Sequence, residues 1–372
     1  MDAITNRPRL QSLDALRGFD MFFIMGGEMV IIALAKLFPG PLFDTLAGQM
    51  NHVQWHGFAF MDMVFPLFLF IAGISFPFSL SKKRTLGFTS GHIYRDILRR
   101  GVILILLGMV YNGLLQFDFE SMRYASVLGR IGLAWMIAAL IFMNTKTVAR
   151  IIICLALLIG YWLVVALITA PDVSPLADPL SIEGWVGGYV DRMILPGRLH
   201  LTIHDPEGAF STITAVCTAM LGMFTGEFIK LENAKVTPRR KVLYLIGAGV
   251  VLVGVGLLWD TVFPINKNMW TSSFVVFVGG LSILLFALFY YVIDVCNCRK
   301  WALFFTVIGL NSITIYLGQS VINFTSATNF IFGGVIHHVP IEFQLLVGSL
   351  AYVACCWTFL YILFRHKIFL KV

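Results

Sequence analysis

Apolar runs of roughly 17–25 residues, the length a helix needs to cross a bilayer, recur along the chain. They fall at about 13–37, 62–80, 101–117, 127–143, 150–169, 209–229, 242–262, 271–294, 302–322 and 343–364. The pattern predicts an all-α integral membrane protein, a bundle of about ten transmembrane helices. The longest stretch between runs, about 170–209, is too short to build a core of its own, so a single domain over 1–372 is expected. The N-terminal segment MDAITNRPRLQS is polar, and no small-residue cleavage site follows the first run. An uncleaved first helix is therefore expected rather than a removed signal peptide.

The connections alternate in charge. Basic residues precede the first run, and Lys82, Lys83, Arg84, Arg95, Arg99 and Arg100 follow the second. Lys146 and Arg150 follow the fourth; Lys230, Lys235, Arg239, Arg240 and Lys241 follow the sixth. Arg299 and Lys300 follow the eighth, and Arg365, Lys367 and Lys371 close the chain. Basic loops stay in the cytosol, which predicts that both termini are cytosolic. The net charge of +7 then reads as topology and membrane-lipid contact, not as a nucleic-acid surface. A hydrophobic content of 58% against 13% charged residues excludes a soluble globular class. The cysteines lie in spans or in a basic loop, and no disulfide or zinc frame is expected.

The other set of connections carries Pro, Gly, Asp, Glu, Asn and most of the histidines: His52, His56, His200, His204, His337 and His338. A wet polar vestibule on the outer face is expected. The stretch QMNHVQWHGFAFMDMVFPLFLFIAGIS (49–75) places His52, Trp55 and His56 just before an apolar run that opens with Asp62. A neutral imidazole can take a proton from an amine or hydroxyl, or accept an acyl group. The plain alternative is a solvated loop histidine. His52 and His56 at a four-residue spacing suit a metal pair, but no third ligand is evident and no metal is expected.

Asp14, Arg17 and Asp20 share one face of the first helix, with Glu28 two turns deeper. An Asp14–Arg17 pair would fix the helix end, whereas a lone carboxylate within a span should face the bundle interior or a cavity. In HDPEGAFSTITAV, Asp205 and Pro206 predict a helix start, with Glu207, Ser211 and Thr212 facing the vestibule. In PINKNMWTSSF, Lys267 stands between Asn266 and Asn268 at the outer end of a helix; a solvated loop is the alternative. On the cytosolic side Tyr94, Arg95, Arg99 and Arg100 form a basic stripe suited to phosphates or lipid headgroups, or to simple membrane anchoring. No matched pair of Gly/Pro-broken helices is visible, which weighs against a secondary transporter.

Taken in order, SLDALRG, NHVQWHGFAFMDMVFPLFLFIAG, RIGLAW, DPEGAFST, PINKNMWT and GLNSITIY resemble the heparan-α-glucosaminide N-acetyltransferase family of transmembrane acetyltransferases, in its bacterial form. The resemblance spans residues 12 to about 320. It implies transfer of acetyl from cytosolic acetyl-CoA, as co-substrate, to an amino sugar or glycan end beyond the membrane, by a homodimer in a bacterial inner membrane with the acceptor side periplasmic or extracellular. It implies too that the N-terminal lumenal region of the animal enzyme is absent. Members often carry Asn where Glu28 and His56 stand. On this reading His52 is catalytic, with Asp62 or Glu28 orienting it. Arg17, Arg95, Arg99, Arg100 and Arg130 are expected to bind acetyl-CoA. Trp55, Glu207, Asn266, Lys267 and Asn311 are expected to meet the acceptor, with Asn266 or Asn311 stabilising the oxyanion. The competing readings are an amino-sugar permease without acyl transfer, and an accessory membrane protein with no small-molecule chemistry.

Overall fold

A computed structural model of the chain describes residues 10–232 and 236–370. Residues 1–9, Lys235 and Lys371, which entered the charge argument, lie outside the described residues. The described chain is helical, with only two isolated β-bridges, Arg123 to Gly197 and Thr169 to Trp185. The α-helices are α1 (Gln11–Phe22), α2 (Glu28–Leu37), α3 (Pro41–Gln49), α4 (Phe60–Thr85), α5 (Ser90–Tyr111), α6 (Val127–Asn144), α7 (Thr147–Leu167) and α8 (Val186–Ile194). They continue as α9 (Thr212–Lys230), α10 (Pro238–Asp260), α11 (Ser272–Phe289), α12 (Ala302–Leu310), α13 (Ser312–Val321), α14 (Phe324–His338) and α15 (Ile341–Arg365).

Each expected apolar run lies largely within helix. Among the described residues, 8 helices are long and apolar enough to cross a membrane, and 9 if the bent pair α12 and α13 is one span. The shortfall from ten is α5. It is long enough, but Arg95, Asp96, Arg99 and Arg100 occupy its first half and make it more polar than an ordinary span. Three further helices, α3, α8 and α14, lie in the connections between the expected runs. Two spans are interrupted, contrary to the expectation of unbroken helices: the first by a π-helical turn at Phe23–Gly27, and the α12–α13 span by a 67° bend.

The chain divides into two compact units. Within the described residues, unit 1 comprises 10–51, 237–243 and 285–370. Its centre is α1 against α12, where small residues let backbones touch. A Cβ on Gly18 would stand 1.7 Å from the Phe305 carbonyl oxygen, and one on Gly309 1.9 Å from that of Asp14. Phe19 and Phe22 edge against Phe305 beside this contact. Helix α15 packs on α2, α12 and α14.

Unit 2 comprises the described residues between 52 and 236, with 244–284. Helices α4 and α9 form its axis. Their seam is again made by glycines: a Cβ on Gly222 would lie 2.1 Å from the Phe70 carbonyl oxygen, and one on Gly73 2.2 Å from that of Ala219. Helix α6 packs on α4, α5 and α9, and α7 on α9. Along α7, Val148, Ile152, Leu155, Ile159 and Leu163 remain exposed. Such an apolar stripe is stable only against lipid or another apolar surface.

Candidate active site

The start of α4 sets the site. Ala59 is extended (φ −125°, ψ 159°), and the third residue of the helix, Asp62, turns its carboxylate back over the preceding segment. Its Oδ2 accepts from the Ala59 N–H at 3.0 Å and the Val53 N–H at 3.4 Å. An acid at this position satisfies amides the helix leaves open and sits favourably at the positive end of its dipole. Asp62 Oδ1 lies 2.8 Å from His52 Nδ1. Because an ionised carboxylate only accepts, this contact places the proton on Nδ1 and leaves the lone pair on Nε2.

The loop between α10 and α11 brings Lys267 to the same point. The Gly57 N–H donates to the Ile265 carbonyl at 2.8 Å, and Asn268 Nδ2 donates to the Gln54 carbonyl at 3.0 Å. With the two loops tied, Lys267 Nζ lies 3.0 Å and 3.3 Å from the two ring nitrogens of His52, and 3.6 Å from Asp62 Oδ1. Nearly equal distances to both nitrogens mean that the ammonium is aimed at neither lone pair. Burial lowers the Lys267 pKa, against the opposing pull of Asp62 and Glu207.

Asn266 is fully buried and organises this loop. Its Oδ1 accepts from the Met269 N–H at 2.9 Å, while its Nδ2 lies 3.4 Å from His56 Nδ1. Burial lowers the pKa of His56, with Asp178 and Asp260 opposing. Trp55 donates from Nε1 to the Leu180 carbonyl at 2.8 Å, meets Trp185 and His204 edge to face, and packs on the core of Tyr161, Val165, Trp185 and Phe263.

Behind these groups lies a buried ionic network. Arg123 binds Asp205 through two bonds, Nε to Oδ2 at 2.7 Å and Nη2 to Oδ1 at 2.6 Å, and also pairs with Glu207. The pairing raises the pKa of Arg123 and lowers that of Asp205. Arg123 was not among the expected site residues. The one signal was a single arginine in an outer connection. The helix start expected at Asp205–Pro206 is instead a turn, with α9 beginning at Thr212, because the Asp205 carboxylate is taken by Arg123. Ser211 and Thr212, expected to face a vestibule, are buried, as is His204.

Arg130 belongs to this network and not with the cytosolic arginines. Its guanidinium donates to the Gly208 carbonyl at 3.1 Å and to Ser211 Oγ, and lies 4.8 Å from the Trp270 ring centre. Its Nε and Nη1, Asp191 Oδ2 and both ring nitrogens of His204 have no hydrogen-bond partner. Burial pushes the Asp191 carboxyl up to about 6 and the His204 imidazole down to about 4. Asn144, near the far end of α6, takes the Tyr94 hydroxyl at 2.8 Å. Fourteen helical residues, about 21 Å, therefore separate Arg130 from the residue that meets the basic stripe.

The stripe itself is divided. Arg95 and Arg99 are exposed, Arg95 lying 3.3 Å from His92 Nδ1, whereas Arg100 stacks 4.3 Å over Trp135. The remaining expected residues belong to unit 1. Arg17 pairs with Asp14 at 3.3 Å. Asn311 donates to the Ile368 carbonyl at 3.0 Å and accepts from Thr314 at 3.2 Å, so its amide holds the bend between α12 and α13. Glu28 lines a separate cleft. Among the described residues, no group of His, Cys, Asp and Glu is arranged to hold a metal ion.

The helices and the His52–Asp62–Lys267 cluster together define a polytopic α-helical membrane protein with an ionisable centre at the start of one span. The family described as "Domain of unknown function (DUF5009)" matches residues 9–116, which include that centre's His52 and Asp62. Heparan-alpha-glucosaminide N-acetyltransferase of Homo sapiens is 25% identical over 429 aligned positions, covering 98% of this chain and 60% of its own length. The Mus musculus protein of the same name is 24% identical over 425 positions, covering 98% and 61%. The chain is thus similar to these two proteins over nearly all of its own length, at about a quarter identity. It spans about 60% of the length of the curated relatives it matches.

Proposed function

We propose that the protein is an acetyl-CoA-dependent N-acetyltransferase that moves acetyl from the cytosolic side to the amine of a glucosamine-type sugar on the opposite side of the membrane, the bacterial inner membrane on this reading, and works as a homodimer. The observation that carries the reading is the buried Asp62 carboxylate 2.8 Å from Nδ1 of the accessible His52 ring, in a chain related to proteins named as acetyltransferases.

The ring presents Nε2 as the basic or nucleophilic atom. A protonated amine is no nucleophile, so the ammonium loses one proton to solvent before attack, and His52 takes a second from the nitrogen as the new bond forms. The new bond joins the sugar nitrogen to the acetyl carbon, the carbon–sulfur bond breaks, and the proton collected by His52 leaves with the CoA thiolate. If His52 itself takes the acetyl group first, the same atoms balance over two steps. Lys267 supplies positive charge where an oxyanion develops, the role first assigned to Asn266 or Asn311. The Asn311 amide donates to the Ile368 carbonyl, and the Asn266 amide nitrogen lies against His56. Trp55 provides an apolar wall for the sugar, and Glu207 with Arg130 lies near Lys267 as its charged surroundings. Arg95 and Arg99 are the accessible cations for the CoA phosphates.

The test is acetyl transfer by the purified protein from acetyl-CoA to glucosamine, followed as acetylated sugar and released CoA. Transfer that is absent in the parent protein, or undiminished in His52→Ala, overturns the reading. An amino-sugar permease, the alternative, would bind or move sugar without consuming acetyl-CoA. The two interrupted spans of unit 1 are the observation that keeps it in view.

A further inference from the structure

Unit 1 holds a pair of thiols that the acyl-transfer reading does not use. The end of α11 passes into a π-helical turn, Tyr290–Val295, and the chain leaves it through Cys296, Asn297 and Cys298, all three exposed. Backbone bonds close the turn, the Cys296 N–H donating to the Tyr291 carbonyl at 2.8 Å and the Cys298 N–H to the Val292 carbonyl at 3.0 Å. Between the thiols Asn297 has φ 58°, a left-handed conformation that asparagine tolerates better than most residues. Its plain use is to stop the helix.

That conformation also sets the distance between the two cysteines. Residues flanking a left-handed one have Cα atoms about 5.5 Å apart, as in any helical turn, whereas an extended residue would hold them at about 7 Å. Disulfides most often join Cα atoms about 5.5–6 Å apart, with an upper limit near 6.8 Å. The backbone therefore holds the pair at bonding separation. Cys298 Sγ already turns back toward its neighbour, lying 3.8 Å from the Cys296 carbonyl oxygen. Cys154, Cys217 and Cys356, in contrast, are buried. Arg299 and Lys300 follow the pair directly, and the charge of Arg239 reaches Tyr291. A basic rim of this kind draws small anions.

We propose that Cys296 and Cys298 form a reversible dithiol–disulfide pair that exchanges with anionic low-molecular-weight disulfides, of which oxidised glutathione is the probe. One thiolate attacks a sulfur of the small disulfide, giving a mixed disulfide and one released thiol. The second thiolate attacks the protein sulfur of that bond, closing the bridge and releasing the second thiol. Two electrons pass from the protein to the small disulfide, and the two protons end on the released thiols. Asp294, two residues before the pair, accepts from the Ser12 N–H at 3.3 Å, so closing the bridge fixes the turn that meets the start of α1. The proposal does not rest on the acyl-transfer reading.

The test uses the full chain in lipid discs, equilibrated over a series of reduced-to-oxidised glutathione ratios, quenched in acid and blocked with N-ethylmaleimide. Cleavage after Tyr291 and Arg299 leaves both cysteines on the peptide 292–299, which is read by mass spectrometry. The expected product carries no maleimide, is two hydrogens lighter than the dithiol, rises with oxidised glutathione and is reversed by reduced glutathione. In Cys296→Ser and Cys298→Ser the remaining cysteine should keep a glutathione adduct instead. Asn297→Val should lower the closing equilibrium about tenfold, because a β-branched residue resists the left-handed turn, and Asn297→Gly should close at least as readily as the parent. The proposal is overturned if the peptide keeps two maleimides or carries only glutathione adducts at every ratio, or if Asn297→Val closes like the parent.

Discussion

Asp62 is 1% exposed and His52 is 55% exposed, yet they meet at 2.8 Å. A buried carboxylate thus fixes one nitrogen of a ring whose other face is open to a substrate. The backbone amides of Val53 and Ala59 hold that carboxylate in turn, so the ring is oriented by the helix start itself.

Replacing Asp62 with Asn tests this directly. An amide can donate to Nδ1, which would shift the proton to Nε2 and remove the lone pair facing substrate. Acetyl transfer should fall by about 10²–10⁴-fold, the range for loss of a correctly held base, with the protein still purifying as a folded species. Near-normal turnover in Asp62→Asn would remove His52 from the mechanism. His56→Ala, in contrast, should cost far less, because the His56 ring lies against Asn266 rather than beside Asp62 and Lys267.

Arg123 and Asp205 make a structural prediction. Asp205 is fully buried, and removing its cation leaves an uncompensated charge. Arg123→Ala should destabilise the protein by about 3–5 kcal/mol, read as a lower apparent melting temperature in detergent. Arg123→Lys should rescue only part, since an ammonium cannot reproduce the two parallel bonds. An unchanged melting temperature in Arg123→Ala would mean that the pair contributes nothing.

Two buried groups with opposite pH signatures predict a compensation. His204, at about 4 against an ordinary 6.5, binds fewer protons folded than unfolded between those values. Its contribution to stability is therefore lost as pH falls from about 6.5 to 4. Asp191, at about 6 against an ordinary 3.8, binds more protons folded. Its contribution is therefore lost as pH rises from about 4 to 6. Relative to the parent, His204→Phe should lose apparent stability as pH rises through 4–6, and Asp191→Asn should lose it as pH falls from 6.5 to 4. Parallel melting profiles for parent and both variants would contradict the two shifts.

The proposed use of acetyl-CoA separates the arginines. Contacts to phosphates remote from the reacting carbonyl are mostly uniform binding. Removing Arg95 and Arg99 should raise the apparent KM for acetyl-CoA about tenfold or more while changing the maximal rate less. Arg100→Ala should act through lost packing on Trp135, with lower stability and a smaller change in KM. Unchanged acetyl-CoA affinity in the Arg95 and Arg99 double variant would send the phosphates elsewhere.

Part of the geometry of the candidate site was legible because its logic is local. An acid three residues into a span, with a histidine ten residues before it, is enough to suggest a carboxylate reaching back over the loop. Lys267 was visible as a cation in an otherwise polar outer loop, although its contact with His52 depends on the Gly57–Ile265 and Asn268–Gln54 bonds, which no local pattern encodes. Arg130 was misplaced for the same reason: a guanidinium is drawn to whatever acceptors the fold supplies, here Gly208 and Ser211 some eighty residues away. The interruption of the first span was present in the sequence as Gly26–Gly27, yet two glycines in an apolar run also fit close helix packing, the role that Gly18 and Gly73 fill. The charged first half of α5 was read as a cytosolic stripe, but its cost to the span count became visible only once the helix bounds were known.

The geometry of unit 2 makes the direction of transfer testable. His52 stands before the start of α4, and Lys83 at its other end binds Asp96 of α5 at 2.7 Å, one residue after Arg95. Helix α4 has 26 residues, about 39 Å, enough to cross the hydrocarbon core. The accessible arginines and the histidine cluster therefore lie at opposite ends of one span. In sealed proteoliposomes with acetyl-CoA on the Arg95 side and glucosamine on the His52 side, acetylated sugar should accumulate with the acceptor while CoA appears with the donor. His52→Ala in the same vesicles should produce neither. Product formed only when both substrates share a compartment would make the protein a one-sided enzyme, and unmodified sugar crossing without CoA release would favour the permease.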